Sequence, residues 1–292
     1  MKSEFAPAKV NLFLHVGALR ADGFHPINSL MVFADIGDGL TAAPAERFEL
    51  VLEGPTRAQA PAGEDNLVLR AARALFTLAG VAEPPLRITL DKQLPAEAGL
   101  GGGSSDAAAA LRLLRAELGL AVDDDALQAA AAKLGSDVPA CLLARPLLAR
   151  GRGERLTPVA GLPELPVVLV RPPVAASTAA VYRAFDQGDA PRLEAPDVPE
   201  GLDASAEAGF LASCRNDLEA PAIALQPAIG AALDRLRAAP EALLGRMSGS
   251  GSACFALCAD HASAVRLADR LRTEHADWWV RACRLGASPP GR

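Results

Sequence analysis

A glycine-rich segment that runs directly into an alanine- and leucine-rich stretch constrains this chain more than any other part of its sequence. Residues 95–119 read PAEAGLGGGSSDAAAALRLLRAELG. One helical face collects the apolar residues Ala107, Leu111, Leu114 and Leu118. Glycines let the backbone approach an anion closely, and the N–H groups at a helix start favour phosphate. The segment is neither a Walker A loop nor a dinucleotide fingerprint. It predicts a phosphate-binding loop, with a flexible loop that caps a helix as the alternative.

Strands and helices alternate along the rest of the chain. Their patterns predict strands at 9–16, 48–52, 86–90 and 166–171 and helices at 66–80 (capped by Asn66 and Gly80), 124–134, 216–238 and 261–274. Residues 136–143 predict a turn that leads into a buried segment. The acidic residues 184–209 predict a surface excursion, either an insertion or a lid. Strands that alternate with helices predict an α+β or an α/β fold. Pro, Gly and Arg are enriched at 146–166, so we expect two halves that divide near 150–160.

Composition excludes several classes of protein. The formal net charge of −6 disfavours a nucleic-acid-binding protein, which would normally be basic. The sequence has no apolar run of about 20 residues and no signal peptide, so we expect a cytoplasmic protein without a membrane partner. Its five cysteines lack a CxxC spacing and are expected to be buried free thiols. The four histidines form no metal-binding spacing, which disfavours a protein-built transition-metal site.

The strand predicted at 9–16 carries polar side chains on one face. Strict alternation directs Val10, Leu12, Leu14 and Val16 to one face and Lys9, Asn11, Phe13 and His15 to the other. Lys9 and Asn11 should then lie about 6–7 Å apart on a common face. Lys9 is either part of a site or a surface lysine whose stem packs along the strand.

Two aspartates and a second loop each allow two interpretations. Asp106 follows the glycine-rich segment, where capping of the helix is favoured over a position near a metal–phosphate cluster. Asp137, in GSDVP, is either the N-cap of the next segment or a general base or metal ligand. The Gly/Ser loop at 247–252 is either an ordinary connection or lies against the first loop and closes a phosphate site. The residues alone leave these alternatives open.

Three motifs resemble, in the same order, those of the GHMP small-molecule kinases: APAKVNLFL, PAEAGLGGGSSDAAAA and MSGSGSACFAL. The resemblance spans nearly the whole chain. It implies a two-domain α+β fold, with an ATP-binding N-terminal domain at 1–157 that resembles domain 2 of ribosomal protein S5. Residues 158–292 would form a ferredoxin-like C-terminal domain.

Further segments resemble one branch of that family, namely RADGFHPINSL, DNLVLRAA, GSDVPACL and RNDLE. This branch implies that ATP phosphorylates the 2-hydroxyl of 4-diphosphocytidyl-2-C-methyl-D-erythritol in the non-mevalonate isoprenoid pathway. Asp137 matches the catalytic base and Lys9 its partner. The resemblance also implies Mg²⁺ with the ATP. Ser105 is the best candidate ligand, and phosphate and water would supply the other oxygens.

The resemblance implies two sets of binding residues. Positions that match ATP-binding residues are Asn66, Lys92, Pro95, Gly99, Leu100, Gly101, Gly102, Gly103, Ser104 and Ser105. Positions that match residues around the cytidine diphosphate group are Asn11, Phe24, His25, Thr178 and Tyr182. Phe24 departs from the Tyr expected there, but it keeps an aromatic face for stacking on cytosine.

Two other functions stay open. One is another GHMP kinase with a mevalonate- or homoserine-type substrate, and the other is a non-catalytic nucleotide-binding protein. The ADGFH segment and Tyr182 argue against the first, because aromatic rings that stack on cytosine have no use in such a site. Intact Lys9, Asp137 and both glycine-containing loops argue against the second. No surface patch is clear enough to predict a dimer, so the oligomeric state is left open.

Overall fold

The computed structural model describes residues 2–189 and 191–286. The first half of the described chain begins with two long strands, which shorter strands and helices follow. Its strands are β1 (Ser3–Val16), β2 (Ile27–Pro44), β3 (Glu49–Glu53), β4 (Leu86–Asp91), β5 (Leu147–Gly151) and β6 (Arg155–Pro158). Its helices are α1 (Leu67–Ala79), α2 (Gly102–Glu117), α3 (Asp124–Leu134) and α4 (Val138–Leu143), with a 3-10 turn at Arg57–Gln59.

The second half has shorter strands and more helices. Its strands are β7 (Leu165–Arg171), β8 (Ala242–Met247), β9 (Cys254–Cys258) and β10 (Trp279–Leu285). Its helices are α5 (Thr178–Phe185), α6 (Ala204–Ala212), α7 (Glu219–Leu225), α8 (Pro227–Arg237) and α9 (His261–Glu274).

Strand β2 joins the two halves into one sheet. It pairs antiparallel with β1, β4 and β5, and it meets β10 where Leu285 lies opposite Ala34. The strand order is β3-β4-β2-β10-β7-β9-β8, with β1 and β5 also paired to β2. Helix α2 packs on both β1 and β2. The glycine-rich loop that precedes α2 is therefore held next to the polar residues of β1.

The strict alternation predicted for β1 is interrupted. Its register with β2 shifts between Asn11 and Phe13. As a result Phe13 packs in the same apolar cluster as Val10, whereas Leu14 packs in a cluster of the second half. The prediction that Phe13 lies opposite Val10 is therefore wrong. Lys9 and Asn11 do share a face, as predicted, since Nζ of Lys9 donates to Oδ1 of Asn11 over 2.7 Å.

Three segments differ from the predicted elements. The helix predicted at 216–238 is two helices, because Pro227 lacks a backbone N–H and begins α8 directly after α7. The turn predicted at 136–143 is largely helix α4. Helix α6 overlaps the acidic segment, which is docked on β2: Nδ2 of Asn28 donates to the carbonyl of Glu194 over 2.8 Å.

The two halves share buried apolar contacts. One cluster joins Val10 of β1 to Leu169 of β7 and Phe255 of β9, and all three side chains are fully buried. A domain boundary between residues 157 and 158 stays a prediction. The five cysteines are buried and carry free thiols, as predicted. Within 2–189 and 191–286, no helix combines the length and the apolar character that a membrane span requires.

Candidate active site

A cavity of about 1920 Å³ is lined by residues of both halves. The predicted site residues in its wall are Lys9, Asn11, Phe24, His25, Asn66, Lys92, Pro95, Gly99, Gly101, Gly102, Gly103, Ser104, Asp137, Thr178 and Tyr182. Leu100 and Ser105 lie behind the wall. The carbonyl of Leu100 accepts the backbone N–H of Lys9, and the fully buried Oγ of Ser105 donates to the carbonyl of Pro7 over 2.6 Å. The hydroxyl of Ser105 is thus engaged outside the cavity wall, and its role as a metal ligand stays a prediction.

Lys9 on β1 and Asp137 before α4 form an ion pair in the cavity wall. Nζ of Lys9 lies 3.2 Å from Oδ2 of Asp137. The lysine side chain is 4% exposed and the aspartate 33%, so only the carboxylate is readily accessible from the cavity. Asp137 occupies the N-cap position of α4, but its side chain makes no capping hydrogen bond. The arrangement suits proton acceptance by the carboxylate and charge stabilisation by the ammonium group.

Hydrogen bonds around Asn11 hold Lys9 and connect the two glycine-containing loops. Nδ2 of Asn11 donates to Oγ of Ser29 over 2.7 Å, which orients Oδ1 toward the ammonium group of Lys9. The backbone N–H of Asn11 donates to Oγ of Ser248, which itself donates to the carbonyl of Gly99 over 3.0 Å. Of the two interpretations of the loop at 247–252, the structure therefore supports the one in which it lies against the first loop.

The glycine-rich loop places the start of α2 in the cavity wall. Gly101 precedes the helix with φ of 64° and offers no side-chain cap. The first N–H groups of α2, at Gly102, Gly103 and Ser104, consequently have no partner inside the helix. These residues line the cavity. Free N–H groups and the positive end of the helix dipole favour a phosphate at this position.

Gly101 offers a test of how closely the loop fits Lys9. A Cβ at this position would lie 3.1 Å from Cβ and 3.2 Å from Cε of Lys9. We expect Gly101→Ala to shift Lys9 and to lower kcat by roughly ten- to a hundredfold. Gly119→Ala is the matched control, because Gly119 also has a positive φ but open space around it. Both variants should lose about 1 kcal/mol of stability in urea unfolding, since L-residues are strained at such φ values. Equal kcat values for the two variants would contradict the steric argument.

Lys92 lies between two buried carboxylates. Its Nζ donates to Oδ2 of Asp38 over 2.5 Å and to Oδ2 of Asp106 over 2.7 Å. Burial raises the pKa of Asp106 well above its usual value despite the opposing effect of Lys92. Burial acts to lower the pKa of Lys92, but the two carboxylates outweigh it and raise that pKa. Asp106 lies inside α2 and not at its start, so its predicted role as a helix cap is wrong.

Asn66 has a structural role that the sequence predicted. Its Oδ1 accepts the N–H of Val68 over 2.9 Å and so caps α1, and its Nδ2 donates to the carbonyl of Pro61. Gly80 ends the same helix in the left-handed conformation, also as predicted. Asn66 lines the cavity with both side-chain atoms already engaged. A ligand would therefore meet at most the second N–H of Nδ2 or the second lone pair of Oδ1.

His25 and Tyr182 form an aromatic group in another part of the wall. Their ring centroids lie 5.1 Å apart. Nδ1 of His25 lies 2.9 Å from the carbonyl of Gly17, and Nε2 lies 3.2 Å from Oδ1 of Asp186. Burial, followed by the charge of Asp137, raises the pKa of Tyr182 to about 12. The phenol therefore stays neutral and lies within electrostatic reach of the Lys9–Asp137 pair.

Phe24 and Thr178 contribute at the more open part of the cavity. Phe24 is 50% exposed, and the guanidinium of Arg152 lies over its ring at 4.1 Å from the centroid. Oγ1 of Thr178 lies 2.8 Å from Oγ of Ser250, in the second glycine-containing loop. An exposed aromatic ring with a cation beside it suits a planar, electron-rich group such as a nucleobase.

Sequence reasoning missed Asp38, Asp186 and Arg152. Asp38 is a fully buried carboxylate on β2, and the sequence does not distinguish it from Asp35 on the same strand. Asp186 follows Tyr182 by four residues at the end of α5, a spacing that places both on one side of a helix. Arg152 carries no local signal, because its partner Phe24 is distant in sequence.

Comparisons with known proteins agree with this geometry. The pattern of the "GHMP kinases N terminal domain" matches residues 66–145, and that of "GHMP kinases C terminal" matches residues 198–277. A "4-diphosphocytidyl-2-C-methyl-D-erythritol kinase" of Caulobacter vibrioides (strain NA1000 / CB15N) is 57% identical over 97% of this chain and 99% of that relative. A protein of the same name from Hyphomonas neptunium is 49% identical over 98% of this chain and 97% of the relative.

Solved structures show the same fold. A crystal structure of a "4-(cytidine 5'-diphospho)-2C-methyl-D-erythritol kinase" matches with a TM-score of 0.80 and 39% identity over 98% of this chain and 100% of that chain. A crystal structure of a "mevalonate kinase" matches with a TM-score of 0.69 at 12% identity, over 99% of this chain and 100% of that one. The second match concerns the fold alone.

The chain belongs to the GHMP kinases. The predicted two-domain α+β fold of that family is therefore confirmed, and the chain is a kinase. Among these enzymes, the narrower resemblance drawn from ADGFH and GSDVP is confirmed as well. The relatives named 4-diphosphocytidyl-2-C-methyl-D-erythritol kinase are matched by this chain over nearly their whole length.

Proposed function

We propose that this enzyme transfers the γ-phosphoryl group of ATP to the 2-hydroxyl group of 4-diphosphocytidyl-2-C-methyl-D-erythritol. The observation that carries the proposal is the ion pair of Lys9 and Asp137 in a cavity beside a helix start suited to phosphate. The names of relatives up to 57% identical support the choice of alcohol. The reaction would belong to the non-mevalonate route to isoprenoid precursors, in the cytoplasm.

In the proposed mechanism Asp137 accepts the proton of the attacking hydroxyl group. The hydroxyl oxygen forms a bond to the γ-phosphorus, the bond from that phosphorus to the β–γ bridging oxygen breaks, and ADP leaves. Lys9 would stabilise the charge on the transferring phosphoryl group, and Asn11 holds its ammonium in place. The N–H groups at Gly102 and Gly103 would bind phosphate oxygens.

Mg²⁺ fits this site as an ion that arrives with the nucleotide. Among the described residues, no three His, Cys, Asp or Glu side chains form a group able to hold a metal. Phosphate oxygens and water would therefore be its main ligands, with the hydroxyl of Ser104 available in the cavity wall. When bound, the ion neutralises charge on the phosphate oxygens.

The cytidine end of the substrate would bind at Phe24, His25 and Tyr182. An aromatic face at Phe24 and the phenol ring of Tyr182 offer stacking surface for cytosine. His25 lies beside Tyr182, and its Nε2 would reach the polar edge of the base in place of its present contact with Asp186. Thr178 and Asn11 line the cavity between these rings and the second loop. A mevalonate- or homoserine-type substrate would leave the aromatic residues unused.

A coupled ADP-release assay tests this function. Purified enzyme with Mg-ATP is expected to turn over 4-diphosphocytidyl-2-C-methyl-D-erythritol, with at most traces of ADP release with mevalonate, homoserine or galactose in parallel wells. Phosphorus NMR of the product should show a new phosphate monoester. Turnover of another alcohol instead would still support a kinase activity, but it would overturn the cytosine-binding role of Phe24, His25 and Tyr182. Absence of turnover in folded protein that binds ADP would favour a non-catalytic nucleotide-binding protein.

A further inference from the structure

The cavity contains positively charged side chains, but acidic partners neutralise most of them. Lys9 pairs with Asp137, and Lys92 is held by Asp106 and by a second buried carboxylate. Arg152 pairs with Asp22 over 3.0 Å. The proposed reaction brings two phosphorylated molecules into this space. A cation without an acidic partner of its own is best able to offset their charge.

Arg171 is such a cation. It ends β7, is half-buried and lines the cavity. Its guanidinium makes neither a hydrogen bond nor an ion pair with any of the described residues, and its buried Nε atom lacks a partner. Burial lowers the pKa of Arg171, with the charge of Glu97 as the opposing influence. A half-buried guanidinium without a hydrogen-bond partner loses hydration, and the charge of Glu97 offsets only part of that loss. An anionic ligand would supply the rest.

The surroundings of Arg171 connect it to the glycine-rich loop. In the register of the sheet Arg171 lies opposite Trp279, whose Nε1 donates to the carbonyl of Gln93 over 3.2 Å. The charge of Glu97 raises the pKa of Arg171, and Glu97 is two residues before Gly99 in the glycine-rich loop. The segment after β7 leads into α5 and is held to the second loop, because Oγ of Ser252 donates to the carbonyl of Val174. Arg171 thus lies where both loops and α5 approach one another.

We propose that Arg171 binds phosphoryl oxygens in the cavity as an additional phosphate-binding residue of the second half of the chain. This rests on the proposed function, in which both substrates carry phosphate: the nucleotide and the diphosphate of the cytidylyl alcohol. Arginine suits the role because its planar fork of donors matches two phosphate oxygens at once. Neither composition nor the motif resemblance pointed to this residue.

Arg171→Gln and Arg171→Lys test the proposal, with Arg281→Gln as the matched control. Arg281 lies on the neighbouring strand β10, is also half-buried and has its pKa lowered by burial, but it is outside the cavity. Calorimetry with ADP and with CDP measures binding of each phosphate source separately. We expect Arg171→Gln to weaken binding of at least one of them by roughly ten- to a hundredfold. Arg171→Lys should recover part of that loss, and Arg281→Gln should match the wild type.

The titrations with ADP and with CDP together show which substrate's phosphate Arg171 binds. Weaker ADP binding with unchanged CDP binding assigns Arg171 to the nucleotide, and the reverse assigns it to the alcohol substrate. Changes within twofold for both probes overturn the proposal, as does a loss that Arg281→Gln reproduces. Recovery by Arg171→Lys should be partial at most, because the ammonium group keeps the charge but not the planar fork. Wild-type protein that binds ADP without phosphorylating the cytidylyl alcohol contradicts the proposed function instead, and the ADP arm still tests Arg171.

Discussion

Replacement of Asp137 by Asn is expected to lower kcat by roughly a hundredfold to ten-thousandfold, the usual contribution of a positioned general base. The amide keeps the size of the side chain and its place before α4, but it cannot accept the hydroxyl proton. Lys9 retains its bond to Asn11, so the ammonium group stays near the transferring phosphoryl group. ADP binding should therefore persist. Steady-state kinetics with saturating ATP and alcohol, together with calorimetry for ADP, measure the two effects separately.

Asp234→Asn is the control for this substitution. Asp234 is exposed on α8 and does not line the cavity, so loss of its charge should leave kcat and melting temperature unchanged. An Asp137→Asn variant that retains a tenth or more of the wild-type kcat, with an unchanged melting temperature, would rule out Asp137 as the base. Phosphoryl transfer would then depend on positioning and charge stabilisation alone.

The parts of the site that could be predicted from sequence depend on local geometry. Lys9 and Asn11 share a face because strand side chains alternate with a period of two, and no register shift falls between them. Asn66 caps α1 because an amide before an apolar helix is a strong local signal. Pro227 is also a local signal, because proline ends a preceding helix. The single helix predicted at 216–238 does not take this proline into account, and α8 begins there.

The parts that sequence reasoning missed depend on contacts between distant residues. Asp38 and Lys92 are 54 positions apart, and only the pairing of β2 with β4 brings them together. The position of Asp106 after the glycines predicts a helix cap, but α2 begins earlier, at Gly102. It therefore turns inward to Lys92. The register shift before Phe13 also depends on residues that are distant in sequence, because the partner strand β2 determines it.

The ion pairs of Lys92 predict the largest change in stability. Lys92→Met leaves Asp38 and Asp106 buried beside each other without their cation, and breaking a buried pair in this way typically costs about 3–5 kcal/mol. The backbone N–H groups of Gln93 and Leu94 still donate to Asp38. Asp106 should therefore account for most of the loss of stability. Lys133→Met is the control, because Lys133 is exposed on α3 and pairs with no carboxylate among the residues that the structure describes.

The stability that Lys92→Met loses should be larger at high pH than at low pH. In the folded protein burial already raises the pKa of Asp106, and removal of Lys92 raises it further, because that cation opposes the effect of burial. A carboxyl group whose pKa is higher in the folded state favours folding at pH values below its unfolded pKa, and it loses this contribution as pH rises through the folded pKa. The deficit of Lys92→Met measured by urea unfolding should therefore be larger at pH 8 than at pH 5. A deficit that is equal at both pH values, or that Lys133→Met reproduces, would show that the buried charges do not cause it.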